Sequence, residues 1–226
     1  MRLFQLAYGC RLFGELVGDD TASDAFRAVT GGHPDLSNPE HAKALLVWLN
    51  KWGCRQFAIE HHPTAARELG EWGSQWLPRL PKQGASLSKL RPRQLEITAD
   101  AYADARERVA SRRVLKDGRP SIVTVGGTGA AKILHALRPK VLPPWDDPIR
   151  AALRLDGSRE SYLAYLVDVQ EIVRGIEAEA AALGITNVPK ALGRPRSSLP
   201  KMIDEYYWIT LTRGHVPPSR PPSGWS

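Results

Sequence analysis

The sequence has 226 residues, with 31 Lys and Arg against 24 Asp and Glu, a formal charge of +7. Hydrophobic residues make up 42% and charged residues 24%, the balance of a globular protein long enough for one substantial domain or two small lobes. No apolar run approaches the roughly 20 residues that span a bilayer, and the basic excess favours polyanions over cationic partners.

The first 18 residues lack an uninterrupted apolar stretch and an A-x-A site, so they do not read as a signal peptide. Residues 2–17 place Leu3, Phe4, Ala7, Leu12, Phe13 and Leu16 at helical spacing, with Gly9 as a weak point. Asp20 to Ser23 offers caps for a short helix that stops at Gly31-Gly32, and Asn38-Pro39 opens a helix through Ala42, Leu45, Leu46 and Leu49. Thr64 caps a further helix that carries Leu69, Trp72 and Trp76. The closely spaced Trp48, Trp52, Trp72 and Trp76 read as core, with a base-stacking surface as the alternative. Cys10 and Cys54 are isolated, form no C-x-x-C pair and fit a reducing cytoplasm.

Residues 78–93 contain no acid and read as a loop between lobes, with Lys82, Lys89, Arg91 and Arg93 as a phosphate-contacting patch or a merely solvated one. Thr98 opens a helix through Tyr102, Ala105 and Val109. Asp117-Gly118 turns the chain, and Ser121 to Val125 is a brief strand or an extended lead. Ser158 caps a long helix whose apolar face runs Tyr162, Tyr165, Leu166, Val169, Ile172, Val173 and Ile176. Residues 187–200 form a second basic, proline-punctuated loop with Lys190, Arg194 and Arg196. A helix from Pro200-Lys201 carries Met202, Ile203, Tyr206 and Tyr207, and residues 215–226 form a proline-rich, disordered tail. Strand patterns are nearly absent, so the expected fold class is all-α.

The stretch 122–155, IVTVGGTGAAKILHALRPKVLPPWDDPIRAALRL, organises the rest. Gly126, Gly127 and Gly129 permit a tight reversal, Ala130 to Leu137 a short helix, and Asp147-Pro148 a helix start with Asp147 as the cap. That leaves Asp146 without a structural duty. G-T-G-A-A-K followed by P-P-W-D-D-P-I-R resembles the helix-hairpin-helix DNA glycosylase superfamily. The resemblance implies an all-α, two-lobed fold, with residues 1–80 as one helical lobe, whose N-terminal helix packs within it or on the other lobe, and 94–214 as the lobe with the glycine hairpin and acidic pair. Gly127, Thr128 and Gly129 match the hairpin and Asp146 the family aspartate. The position two residues after the second hairpin glycine, where bifunctional members carry a lysine, is Ala131, so the match implies a monofunctional enzyme or none.

Such an enzyme needs a carboxylate beside C1′ as the base departs, a pocket for the flipped base and a grip on phosphates. Asp146 suits the first. Trp145 and His135 are candidates for the pocket, although core packing accounts for each as well. Backbone N–H groups at Gly127, Thr128 and Gly129, with Lys132, suit the third, and Lys89, Arg91, Arg93, Lys190, Arg194 and Arg196 would add outer contacts. No cofactor and no metal is implied; Glu60-His61-His62 reads as an exposed loop. GGTGAAK is neither a P-loop nor a dinucleotide fingerprint. The expected partner is double-stranded DNA, with no membrane. The alternatives are a non-catalytic DNA-binding module of the same fold and a small-molecule enzyme.

Overall fold

The computed structural model describes residues 1–18 and 20–221. It is 61% helical and 5% strand, so the fold is all-α with one small antiparallel ribbon. The helices are α1 (Leu3–Val17), α2 (Thr21–Thr30), α3 (Pro39–Lys51), α4 (His62–Trp76), α5 (Pro92–Glu107), α6 (Gly126–Leu137), α7 (Asp147–Ala152), α8 (Arg159–Ala182), α9 (Val188–Ala191) and α10 (Leu199–Tyr207). The strands β1 (Val109–Val114) and β2 (Pro120–Thr124) lie between α5 and α6. A π-turn, Trp208–Thr212, continues α10.

Most helices begin where a short polar side chain accepts a first-turn N–H. Asp20 does this for α2, Asn38 for α3, Ser158 for α8 and Ser198 for α10. Several expected boundaries move. Thr64 caps no helix; it lies in the first turn of α4, which begins at His62. Thr98 does not open a helix; its hydroxyl donates to the Gln94 carbonyl at 2.7 Å in the middle of α5. That helix starts at Pro92, where proline suits the first turn and the Gln94 side chain accepts the Arg91 N–H at 3.0 Å. Val109, expected to be helical, begins β1 instead, with Val109 opposite Thr124 and Val114 opposite Pro120.

The buried apolar side chains form one connected core from Leu3 to Ile203. It runs through both the 1–80 and the 94–214 segments. α1 packs on α10 and α8, α5 on α6 and α8, and α3 on α4 and α6. Trp72 is fully buried and donates to the Ala101 carbonyl at 3.0 Å, and Trp76 donates to Asp104 at 2.6 Å. The core reading of these two indoles therefore holds. No described helix is long and apolar enough to cross a membrane. Residues 222–226 of the proline-rich tail lie outside the described residues.

Candidate nucleic-acid interface

The expected glycine hairpin is not a hairpin. β2 delivers the chain directly to α6, and Gly126, with φ at +68°, makes the entry turn alone. Gly127, Thr128 and Gly129 form the first turn of α6, which starts four residues earlier than expected. Their small size serves close packing. A Cβ on Gly127 would lie 2.4 Å from Arg150 Nη1 and 2.7 Å from the Tyr102 hydroxyl, and one on Gly129 would lie 2.7 Å from Gln56 Nε2. Among the described residues no side chain caps α6, so its first N–H groups keep the positive end of the helix dipole.

The two aspartates have exchanged their expected roles. Asp146 is the cap of α7, accepting the Ile149 N–H at 3.2 Å, and Asp147 is the first helical residue. Proline is tolerated throughout a first helical turn, so Pro148 did not determine which acid precedes the helix. Asp147 is 71% exposed and joins two elements: its Oδ1 accepts from Thr128 Oγ1 at 2.5 Å and from Arg150 Nη2 at 2.5 Å. The Arg150 guanidinium also lies 5.6 Å from the Trp145 ring centroid.

Trp145 lines no open pocket. It is 1% exposed and stacked against Tyr162 at 5.4 Å and Tyr165 at 5.0 Å, with Tyr102 at 5.9 Å. The Tyr162 hydroxyl and Trp145 Nε1 are buried with no hydrogen-bond partner among the described residues. His135 is likewise internal. Its Nδ1–H donates to the Leu142 carbonyl at 2.8 Å and its ring stacks on Trp52 at 5.6 Å. Burial pushes its imidazole down to about 4, so it is neutral at pH 7. Lys132 turns away from the expected phosphate position and donates to the Trp52 carbonyl at 2.6 Å. Ala131 is fully buried.

A second cluster was not anticipated. Lys201 pairs with Asp204 at 2.8 Å and with Glu205 at 3.5 Å, with 16%, 13% and 1% of these side chains exposed. Burial pushes the Asp204 carboxyl up to about 6 against the pull of Lys201, and Asp146 and Glu205 add to the rise. Lys201 also sits 5.2 Å from the Trp52 ring centroid. The pattern K-x-x-D-E, at i, i+3 and i+4, was the available signal for these helical ion pairs.

The expected outer contacts do not assemble around α6. Arg194 makes a two-point bond to the buried Glu205 and lies over Phe13, so its guanidinium is structural. Arg196 is 79% exposed and faces Asp24 at 3.5 Å. Lys190 is exposed on α9. Lys89, Arg91 and Arg93 are exposed, but they stand at the start of α5. Tyr102, which reaches Gly127, is about 15 Å farther along that helix. Arg93 also shares a pocket of about 350 Å³ with Arg79, Glu96 and Asp100, where acids offset its charge. The 187–200 and 78–93 loops therefore do not form one patch with the amino end of α6.

Of the other histidines, His61 Nδ1 accepts the Arg112 N–H at 3.3 Å, and His62 Nε2 lies 3.1 Å from Asn50 Nδ2. Compared with protein-family models, curated proteins and solved structures, the chain matches none.

Proposed function

We propose that the protein binds double-stranded DNA, with the amino end of α6 holding a backbone phosphate. One observation carries this reading: the Arg150 guanidinium is pressed against Gly127 at an uncapped helix amino end. Both groups are positive, and the carboxylate beside them is that of the exposed Asp147, which accepts from the Thr128 hydroxyl and the Arg150 guanidinium rather than from the backbone N–H groups of the helix. A phosphate would add the second negative charge. It would accept from the free N–H groups of Gly127 and Thr128 and from the guanidinium, which suits phosphate geometry. The net charge of +7 points the same way. The two buried thiols, Cys10 and Cys54, fit a cytoplasmic location.

Titration of a fluorescent duplex at several salt concentrations tests the reading. Arg150→Ala should weaken binding and reduce the salt slope by about one. Asp147→Asn removes the competing charge and should tighten binding. Absence of wild-type binding near about 50 mM salt, where electrostatic contacts are strong, rejects the reading. So does an Arg150→Ala protein that binds as the wild type does.

A second reading, base release, has one observation in its favour. Among the described residues the Asp146 carboxylate takes a single hydrogen bond, at Oδ1 from Ile149 N. A carboxylate so placed suits the positive charge that develops on a sugar as its base departs. With Ala131 at the lysine position, water would be the nucleophile and no cofactor is required. Asn caps a helix as well as Asp does, so Asp146→Asn should keep the fold and abolish release from a panel of damaged duplexes. Undiminished release would reject this role for Asp146. Binding without any release leaves the non-catalytic module.

A further inference from the structure

We propose that the β1–β2 ribbon is the element that enters a groove of B-form duplex DNA. The proposal deepens the DNA-binding reading and rests on it. The ribbon is rooted in the protein and then leaves it. Ala110 and Ser111 are buried, and the Ser111 hydroxyl donates to the Gln56 carbonyl at 2.7 Å. From Arg112 onward β1 is exposed, as Ile122 is on β2; Val114 is 73% and Ile122 62% exposed. Arg112 lies opposite Ile122, Arg113 opposite Ser121 and Val114 opposite Pro120. Successive side chains of a strand point to opposite faces. Arg112 and Val114 therefore share one face with Ile122, and Arg113 points to the other.

Charge separates a nucleic acid from other partners. Residues 109–124 carry Arg112, Arg113, Lys116 and Arg119 against one acid, Asp117. Asp117 is taken by Arg119 at 2.7 Å. Arg112, Arg113 and Lys116 have no ion-pair partner among the described residues, although Glu60 stands on the neighbouring turn. A protein strand added at the edge is disfavoured on both sides. His61 covers the β1 edge through the Arg112 N–H, and Pro120 begins β2. The tip, Lys116 to Arg119, is polar, which suits a membrane poorly.

The geometry fits a B-form major groove, about 12 Å wide, which admits a two-stranded ribbon and offers thymine methyl groups to apolar side chains. The major groove of A-form RNA is too narrow. β2 runs directly into α6, so the root of the ribbon adjoins the helix end proposed to hold a phosphate.

The test uses the full chain and a fluorescent 20-mer DNA duplex over a salt series. One variant is Arg112→Gln with Arg113→Gln and Lys116→Gln; the control is Lys89→Gln with Arg91→Gln and Arg93→Gln. The ribbon variant should bind at least about tenfold more weakly, with a salt slope lower by two to three, and the control should stay within about twofold. A photocrosslinker on Lys116→Cys should capture the duplex, since both native cysteines are buried. If the wild type binds DNA and the ribbon variant equals it, the ribbon is wrong and the α6 phosphate site stands. If the wild type binds no DNA, both fall. Tighter wild-type binding to an RNA duplex of the same sequence, or to phosphatidylglycerol vesicles, also overturns the ribbon assignment.

Discussion

The Thr128 hydroxyl donates to Asp147 Oδ1 at 2.5 Å, tying the first turn of α6 to the first turn of α7 across 19 residues of sequence. The same oxygen meets Arg150. Asp147 is therefore a surface connector, and Asp146 holds the cap.

That division predicts the order of two stability losses. Asp146→Ala should cost about 1 kcal/mol, the usual worth of an aspartate cap. Asp147→Ala should cost less, because an ion pair this exposed contributes between about 0 and 1 kcal/mol. Urea melts of the two proteins decide it. Equal losses, or the reverse order, would return the cap to Asp147.

Glycine substitutions should split by location. Gly127→Ala places a methyl group 2.7 Å from the hydroxyl of the buried Tyr102, which is tied to the Gly157 carbonyl and cannot swing aside as the tip of Arg150 can, and should destabilise by about 1 kcal/mol as an overpacked site does. Gly175, inside α8, has no atom within 4 Å of a new Cβ. Gly175→Ala should stabilise by about 0.5–1 kcal/mol through backbone entropy. Thermal melts with the same sign for both would contradict the packing described for α6.

Two buried groups set opposing pH dependences. Asp204, raised to about 6, lends stability that is complete below its unfolded value near 4 and is lost as pH rises through 6. His135, lowered to about 4, lends stability present above about 6.5 and lost as pH falls through 4. The two act with opposite sign over the same range, about pH 4 to 6.5, so they offset one another there. The wild-type difference from Asp204→Asn should therefore vary across this window. The Asn protein should gain stability as pH rises, while the wild type stays flatter. Parallel profiles from chemical denaturation would show that Asp204 titrates normally.

Removing the unpartnered Tyr162 hydroxyl should help the fold. It is buried beside Tyr102, with ring centroids 4.0 Å apart, and makes no hydrogen bond among the described residues. Tyr162→Phe keeps the stack and removes a desolvated polar atom, worth roughly 1 kcal/mol of added stability. A denaturation midpoint lowered by the change would mean that the hydroxyl has a partner.

Helices with a polar cap and a glycine stop were legible because both signals act within a few residues. α2, α3 and α8 follow them closely. β1 was not legible. Its inner residues, Ala110 and Ser111, are small, so the strand has no apolar alternation, and only its pairing with β2 makes it a strand. At the candidate site, the glycines, Thr128 and the acidic pair were visible as a motif. The exchange of roles between Asp146 and Asp147 turns on a one-residue register that proline leaves open. Arg150 and Tyr102 reach Gly127 from other elements, and Lys201 meets Trp52 from α10. No local pattern reports such meetings across the fold.

The packing of α1 on α10 sets an order of events during synthesis. Gly9 accepts the backbone of Tyr206 so closely that a Cβ would lie 3.1 Å from its Cα, and Arg2 pairs with Glu179. Nearly the whole described chain separates these partners. The apolar stripe of α1, with Leu3, Phe4 and Leu6, thus leaves the ribosome long before the surface that covers it. Closing so distant a contact is slow, and an uncovered stripe invites association in the interval. A nascent chain stalled before α10 should accordingly recruit a chaperone through Leu3–Val17, and release it once Tyr206 has emerged.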